Sequence, residues 1–166
     1  MINIDSNIKY IFFDVDGVLS APSYYDSSTN SQAIGFSDED WNKYLDCELN
    51  DTYKYCKPIK QVYDFVKELL DNNLNTYVLS AVSNDIEANS KTVFLNNYYP
   101  NMFVEHYYVK HDKDKALFII DFCKKHNIDT SNCLLVDDTY SLLLDAHCKG
   151  IPSAHLSNVL ANNISK

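Results

Sequence analysis

Apolar residues fall in short runs and helical stripes that alternate along most of the chain. Ile8, Tyr10, Ile11, Phe12 and Phe13 form a near-continuous β-prone run, the pattern of a strand buried on both faces of a parallel sheet. Ile59, Val62, Phe65, Val66, Leu69 and Leu70 then repeat at helical spacing to about Asp71, and Pro58 suits the first turn of that helix. Residues 75–80 (NTYVLS) predict a second strand, and Asn84-Asp85 opens a helix that runs through Leu95. A weaker third strand is expected over residues 102–109, and Ala116, Ile119, Ile120 and Cys123 mark a helix ending near Asn127. Residues 132–136 (NCLLV) read as a fourth strand, followed by a helix over 140–149 with Gly150 at a left-handed cap. A short fifth strand over 151–156 and a terminal helix complete the pattern.

Strands alternating with helices predict an α/β fold, a three-layer Rossmann-like parallel sheet of about five strands flanked by helices. Residues 20–57 interrupt the alternation. Their first part is polar and loop-like; Ser37 then resembles an N-cap, and Trp41, Leu45 and Leu49 follow at fourfold spacing. The segment is short for an independent domain, so the expectation is one domain over residues 1–166 with a small cap inserted after the first strand.

Composition narrows the function classes. The hydrophobic fraction of 46% argues for a globular chain, and no apolar run approaches a membrane span or a signal peptide. Five cysteines without CxxC spacing indicate neither a disulfide framework nor a zinc site, so a reduced, cytoplasmic setting is expected. The five histidines show no metal-ligand spacing either. A net charge of −9 disfavours a duplex nucleic-acid binder. All 14 basic residues are lysines, which removes the side chain best shaped for bidentate phosphate clamps. Phosphate recognition by this chain must then rest on backbone N–H groups, lysine and metal.

The chemistry-bearing residues gather at predicted strand ends. Asp14 and Asp16 follow the first strand, two residues apart, and Gly17 lets the chain turn away. Paired carboxylates there repel each other unless a divalent cation lies between them, and the C-terminal edge of a parallel sheet is where α/β folds bind ligands. Asp137-Asp138 supply a second such pair after the fourth strand. Asp138 is equally suited to capping the next helix. Ser80 ends the second strand, where a hydroxyl can bond a phosphoryl oxygen. Lys110, Lys113 and Lys115 precede the third helix, and of these Lys115, directly before the apolar stripe, is favoured over Lys113.

Asp14, Asp16, Gly17 and Val18 after a hydrophobic strand resemble the first motif of the haloacid-dehalogenase-like (HAD) superfamily, in its phosphatase branch. Ser80, Lys115 and the Asp137-Asp138 pair resemble the later motifs in their order, so the resemblance spans residues 8–156. It implies Asp14 as nucleophile, Asp16 as general acid/base, Ser80 and Lys115 as phosphate-site residues, and Mg²⁺ held by Asp14, Asp16 and Asp138 with Asp137 in support. Leu142 stands where a longer form of the last motif has another aspartate, so Asp145 is not counted as a ligand.

The function this implies is Mg²⁺-dependent hydrolysis of a small phosphomonoester, a nucleotide or sugar phosphate, through an aspartyl phosphate. Two alternatives stand beside it: a HAD-fold binding or regulatory protein with little turnover, and a nucleic-acid end phosphatase, which the acidity and absence of Arg disfavour. Within the insertion, Tyr24, Tyr25 and Trp41 are candidate substrate-binding aromatics. Trp41 is also suited to anchoring a cap helix on the core. Tyr98 and Tyr99 read as packing residues.

Overall fold

The computed structural model describes residues 4–21, 24–26, 31–33, 39 and 52–161, with the backbone alone described for 24–26 and 31–33. Its centre is a five-stranded parallel sheet built from β1 (Tyr10–Phe13), β6 (Asn75–Ala81), β7 (His106–Val109), β8 (Cys133–Asp137) and β9 (Ser153–His155). The order across the sheet is β7-β6-β1-β8-β9. Strand β1 therefore lies in the middle, with Phe13 in register with Val78 of β6 on one side and Val136 of β8 on the other. Successive connections run outward from β1 in opposite directions, which opens a crevice at the C-terminal ends of β1 and β8.

Alternation along β1 splits the core into two layers. Ile11 and Phe13 join Val62, Phe65, Val66 and Leu69 of α1 (Lys60–Asp71) and Phe94 and Leu95 of α2 (Asp85–Tyr98) on one face. Phe12 joins Ile119, Phe122 and Cys123 of α3 (Lys115–His126) and Leu143 and Ala146 of α4 (Tyr140–Cys148) on the other. Helix α5 (Leu156–Ala161) packs Leu156 and Val159 with the first layer. Phe12 and Phe13 are fully buried, and each such side chain contributes about 1.5–3 kcal/mol of hydrophobic stabilisation. Among the described residues, no helix is long and apolar enough to cross a membrane.

Among the described residues, four short strands lie between β1 and α1. Strand β2 (Ser20–Ala21) pairs antiparallel with β5 (Lys57–Pro58), closing a neck through which the inserted segment leaves and returns. Strands β3 (Tyr24–Asp26) and β4 (Ser31–Ala33) form an antiparallel hairpin where the sequence suggested loop. Pro58 is in β5, and α1 begins two residues later than the sequence suggested. A proline donates no N–H and so fits a two-residue edge strand as readily as a first helical turn. The suggested helix start at Ser37 and Trp41 lies outside the described residues.

Candidate active site

The turn after β1 is wound tightly beneath the sheet edge. Asp14 donates its N–H to Val136 O at 3.0 Å, which ties it to β8, and Leu19 and Ser20 both donate to Val15 O. Gly17 has φ of +72°, in the left-handed region open to glycine at little cost. A Cβ there would also lie 2.0 Å from Asp138 Oδ2. The glycine thus lets the Asp138 carboxylate sit against the turn that carries Asp14 and Asp16.

Asp14 is buried, and Lys115 Nζ approaches its Oδ1 at 3.1 Å. The same ammonium is 2.9 Å from Asp137 Oδ2 and 2.9 Å from Asp112 Oδ1. Lys115 opens α3 directly after a short 3-10 turn, Asp112–Asp114. Its side chain is 1% exposed. Burial alone works against its charge, but Asp14, Asp137 and Asp112 together raise its pKa and hold it protonated. Lys110 and Lys113 are exposed.

Asp137 is buried at the end of β8 and accepts from Thr139 N–H at 2.8 Å besides binding Lys115. Oxygens of Asp14, Asp137 and Asp138 lie within 4.8 Å of one another. Burial, opposed by Lys115 and reinforced by Asp137 and Asp16, pushes the Asp14 carboxyl up to about 7. Asp138 is likewise raised, first by partial burial and then by Asp137. Asp14 Oδ1, although near Lys115, is buried and receives no hydrogen bond. Three grouped carboxylates, two of them buried, supply hard oxygen donors that suit a divalent cation. His155 Nδ1 receives the Ser157 N–H at 3.1 Å, so its Nε2–H is the donor to Asp138 O at 2.9 Å.

Asp16 is turned elsewhere. Its Oδ1 accepts from the Tyr53 hydroxyl at 2.6 Å, and its Oδ2 lies 2.9 Å from Lys91 Nζ. Its side chain is therefore not among the three carboxylates that converge. Lys91, on α2, also donates to Ser80 Oγ at 3.0 Å and Ala81 O at 2.5 Å, and pairs with Glu87 Oε1 at 3.1 Å. Ser80 lies one residue before the end of β6 and is buried. Asp14, Asp16, Ser80, Lys115, Asp137 and Asp138 thus gather at one sheet edge. Tyr24 and Tyr25 are in β3, with side chains not described, and Trp41 lies outside the described residues.

Tyr53, Glu87, Lys91 and Asp112 were not singled out in the sequence. A signal existed for two of them: Glu87 and Lys91 share one helix face with Phe94 and Leu95, which places charge on a buried stripe.

No protein-family profile matches the sequence, and no curated protein matches it. Solved structures do resemble it. A haloacid dehalogenase-like family hydrolase from Streptococcus pneumoniae superposes with a TM-score of 0.61 at 15% identity, covering 95% of this chain and 92% of its own. A HAD-superfamily hydrolase of subfamily IA from Geobacter sulfurreducens gives 0.58 at 15% identity, covering 88% of each chain. The cobalt-bound deoxy-D-mannose-octulosonate 8-phosphate phosphatase from Haemophilus influenzae gives 0.55 at 19% identity, covering 90% of this chain and 68% of that one. The strand order, the turn after β1 and these superpositions agree: the chain has the fold of the haloacid-dehalogenase-like hydrolases.

Proposed function

We propose that the protein is a Mg²⁺-dependent phosphomonoester hydrolase that works through an aspartyl phosphate on Asp14, with a small phosphorylated metabolite as substrate. The observation that carries this reading is the buried Asp14 carboxylate, paired with Lys115 at 3.1 Å and grouped with Asp137 and Asp138 at the C-terminal edge of β1 and β8. That arrangement supplies a nucleophile, a fixed cation and a set of hard oxygen ligands in one place. The phosphatase for deoxy-D-mannose-octulosonate 8-phosphate among the structural neighbours supports a sugar phosphate or similar small substrate.

In this reading an Asp14 oxygen attacks phosphorus in line as the bond to the leaving oxygen breaks. Lys115 and the Ser80 hydroxyl stabilise the charge on the equatorial oxygens. Asp16 gives a proton to the leaving oxygen and then takes one from the water that cleaves the aspartyl phosphate, which returns both carboxylates to their starting state. A Mg²⁺ ion held by Asp14 and Asp138, with Asp137 and the turn at Asp16 in support, supplies further charge neutralisation when bound. The inserted segment forms a small cap, and Tyr24, Tyr25 and Trp41 contribute aromatic contacts to the substrate's leaving group.

The test is turnover of a nitrophenyl phosphate and of a panel of phosphometabolites with MgCl₂, compared between wild type and Asp14→Asn. The reading requires hydrolysis by the wild type and loss of about a thousandfold or more in the variant. Equal activity in a folded Asp14→Asn protein removes the mechanism, and no hydrolysis of any phosphate by the wild type removes the function.

A further inference from the structure

Lys115 is the cation expected of this site, yet Lys91 is buried as deeply, with a side chain 1% exposed. Burying a lysine costs several kcal/mol unless acceptors surround it. Lys91 meets four: Asp16 Oδ2, Glu87 Oε1, Ser80 Oγ and Ala81 O. Its partner Glu87 is itself held, since Glu87 Oε2 accepts from Ser83 N–H at 2.8 Å and Glu87 N–H donates to Asn84 Oδ1 at 2.9 Å. The lysine is therefore anchored from the N-terminal turn of α2 and points at Asp16.

The second hold on Asp16 comes from the inserted segment. Tyr53 lies in its returning leg, buried against Phe94 with ring centroids 5.9 Å apart, and its backbone N–H donates to Ser90 Oγ at 3.2 Å. With the ring and backbone both fixed on α2, the hydroxyl reaches Asp16 Oδ1 at 2.6 Å. Lys91 Nζ also lies 5.8 Å from the centre of the Tyr53 ring, so the two holding groups support each other.

We propose that Tyr53 and Lys91 are positioning residues that hold the two oxygens of the Asp16 carboxylate, one each, with one contact giving way when Asp16 carries the proton for the leaving group. The assignment rests on the phosphatase reading above. It gives the insertion a part in the chemistry through Tyr53, separate from any contact to substrate. In the assisted step the proton of Asp16 moves to the leaving alkoxide oxygen as the phosphorus–oxygen bond breaks and the bond to Asp14 forms. A nitrophenolate departs as a stable anion and needs no proton, so an imprecisely placed Asp16 should penalise alkyl phosphates far more than nitrophenyl phosphate.

The experiment compares kcat/KM for a small alkyl phosphate and for nitrophenyl phosphate, since this parameter covers the steps up to phosphoryl transfer. Wild type, Tyr53→Phe, Lys91→Met and Asp16→Asn are measured with saturating MgCl₂. Expected in Tyr53→Phe are losses of about tenfold or more on the alkyl phosphate and of about threefold or less on nitrophenyl phosphate; Lys91→Met, which also removes the donor to Ser80 Oγ, should lose activity on both substrates. Asp16→Asn should show the selectivity of Tyr53→Phe, with a larger loss on the alkyl substrate. Equal losses on both substrates, or no selective loss, in Tyr53→Phe overturn the assignment while leaving the phosphatase reading intact. A wild type that hydrolyses neither substrate overturns both. Lys91→Met takes a buried ammonium from Glu87 and Asp16 and can fail to fold; Tyr53→Phe removes one hydroxyl from an otherwise unchanged ring, and its result then decides alone.

Discussion

Gly17 and Asp138 are in such close apposition that a Cβ on the glycine would sit 2.0 Å from Asp138 Oδ2 and 2.7 Å from its Cγ. No rotation of the new methyl group relieves this, because a Cβ position is fixed by the backbone. Gly17→Ala must therefore push the Asp138 carboxylate away from Asp14 and Asp137, besides straining a turn at φ of +72°. The expected outcome is a folded protein with at least about tenfold weaker Mg²⁺ activation, equal to about 1.4 kcal/mol. Titrating activity against MgCl₂ checks it; an unchanged half-activating concentration would contradict the role given to Asp138.

Lys115 neutralises three carboxylates, two of them buried. Lys115→Met removes the ammonium that Asp14 and Asp137 share. Breaking a buried pair in this way typically costs about 3–5 kcal/mol, and burial of the partners here argues against much solvent screening. A metal-free Lys115→Met protein should lose stability on that scale in urea denaturation. Adding Asp137→Asn should restore part of the loss, because it removes one of the stranded charges. Additive losses in the double variant would mean that Lys115 and Asp137 are not energetically coupled.

Legibility in the sequence followed how strongly each element is buried. Strands β1, β6 and β8 lie inside the sheet, so their apolar runs are continuous and end abruptly at Asp14, Ser80 and Asp137-Asp138. Edge strand β7 is only partly buried, and His106–Val109 occupies half of the span suggested for it. The hairpin of β3 and β4 has only three residues on each side, too few for apolar alternation to show as a strand pattern. Lys91 was hidden for a different reason. Helix α2 exposes Ile86 and Val93 and turns Glu87, Ser90 and Lys91 inward. Apolar periodicity therefore misassigns its buried face until Phe94 and Leu95 are seen against the sheet. Tyr53 comes after the Trp41, Leu45 and Leu49 stripe and belongs to no predicted element, and its approach to Asp16 spans 37 residues of sequence. Contacts of that kind follow from topology and not from local pattern.

The buried Asp14 carboxyl makes both stability and cation binding depend on pH. Its folded value of about 7 lies above its ordinary value of 3.8, chiefly because burial disfavours the charged form. Below about pH 4 it is protonated in both the folded and unfolded chain. As pH rises through about 7 the unfolded chain releases its proton first, so this group's contribution to metal-free stability is progressively lost. A divalent cation needs the carboxylate, so binding must expel the proton at pH 6 but not at pH 8. The rise in melting temperature produced by MgCl₂ should therefore be larger at pH 8 than at pH 6. Equal shifts at both would show that Asp14 is already ionised in the metal-free protein.

Tyr99 links the fold to the turn that carries the aspartates. It is buried at the end of α2, and its hydroxyl donates to Leu19 O at 2.7 Å across 80 residues of sequence. Leu19 O also accepts from Ile59 N–H at 3.2 Å, so Tyr99→Phe does not orphan the carbonyl. The cost is then that of one ordinary hydrogen bond, about 1 kcal/mol, and not the larger penalty of an unsatisfied buried acceptor. The ring keeps its packing against Phe103 and Tyr63, with centroids 5.9 and 5.7 Å away, so no cavity term adds to it. Since Leu19 also donates its N–H to Val15 O, the turn retains its own closure and Asp14 stays tied to Val136. Tyr99→Phe should therefore lower unfolding stability by about 1 kcal/mol in urea while changing kcat by less than about twofold. A loss of activity well beyond that, at unchanged fold, would mean that the Tyr99 hydroxyl sets the position of the turn at Asp16 and not merely its stability.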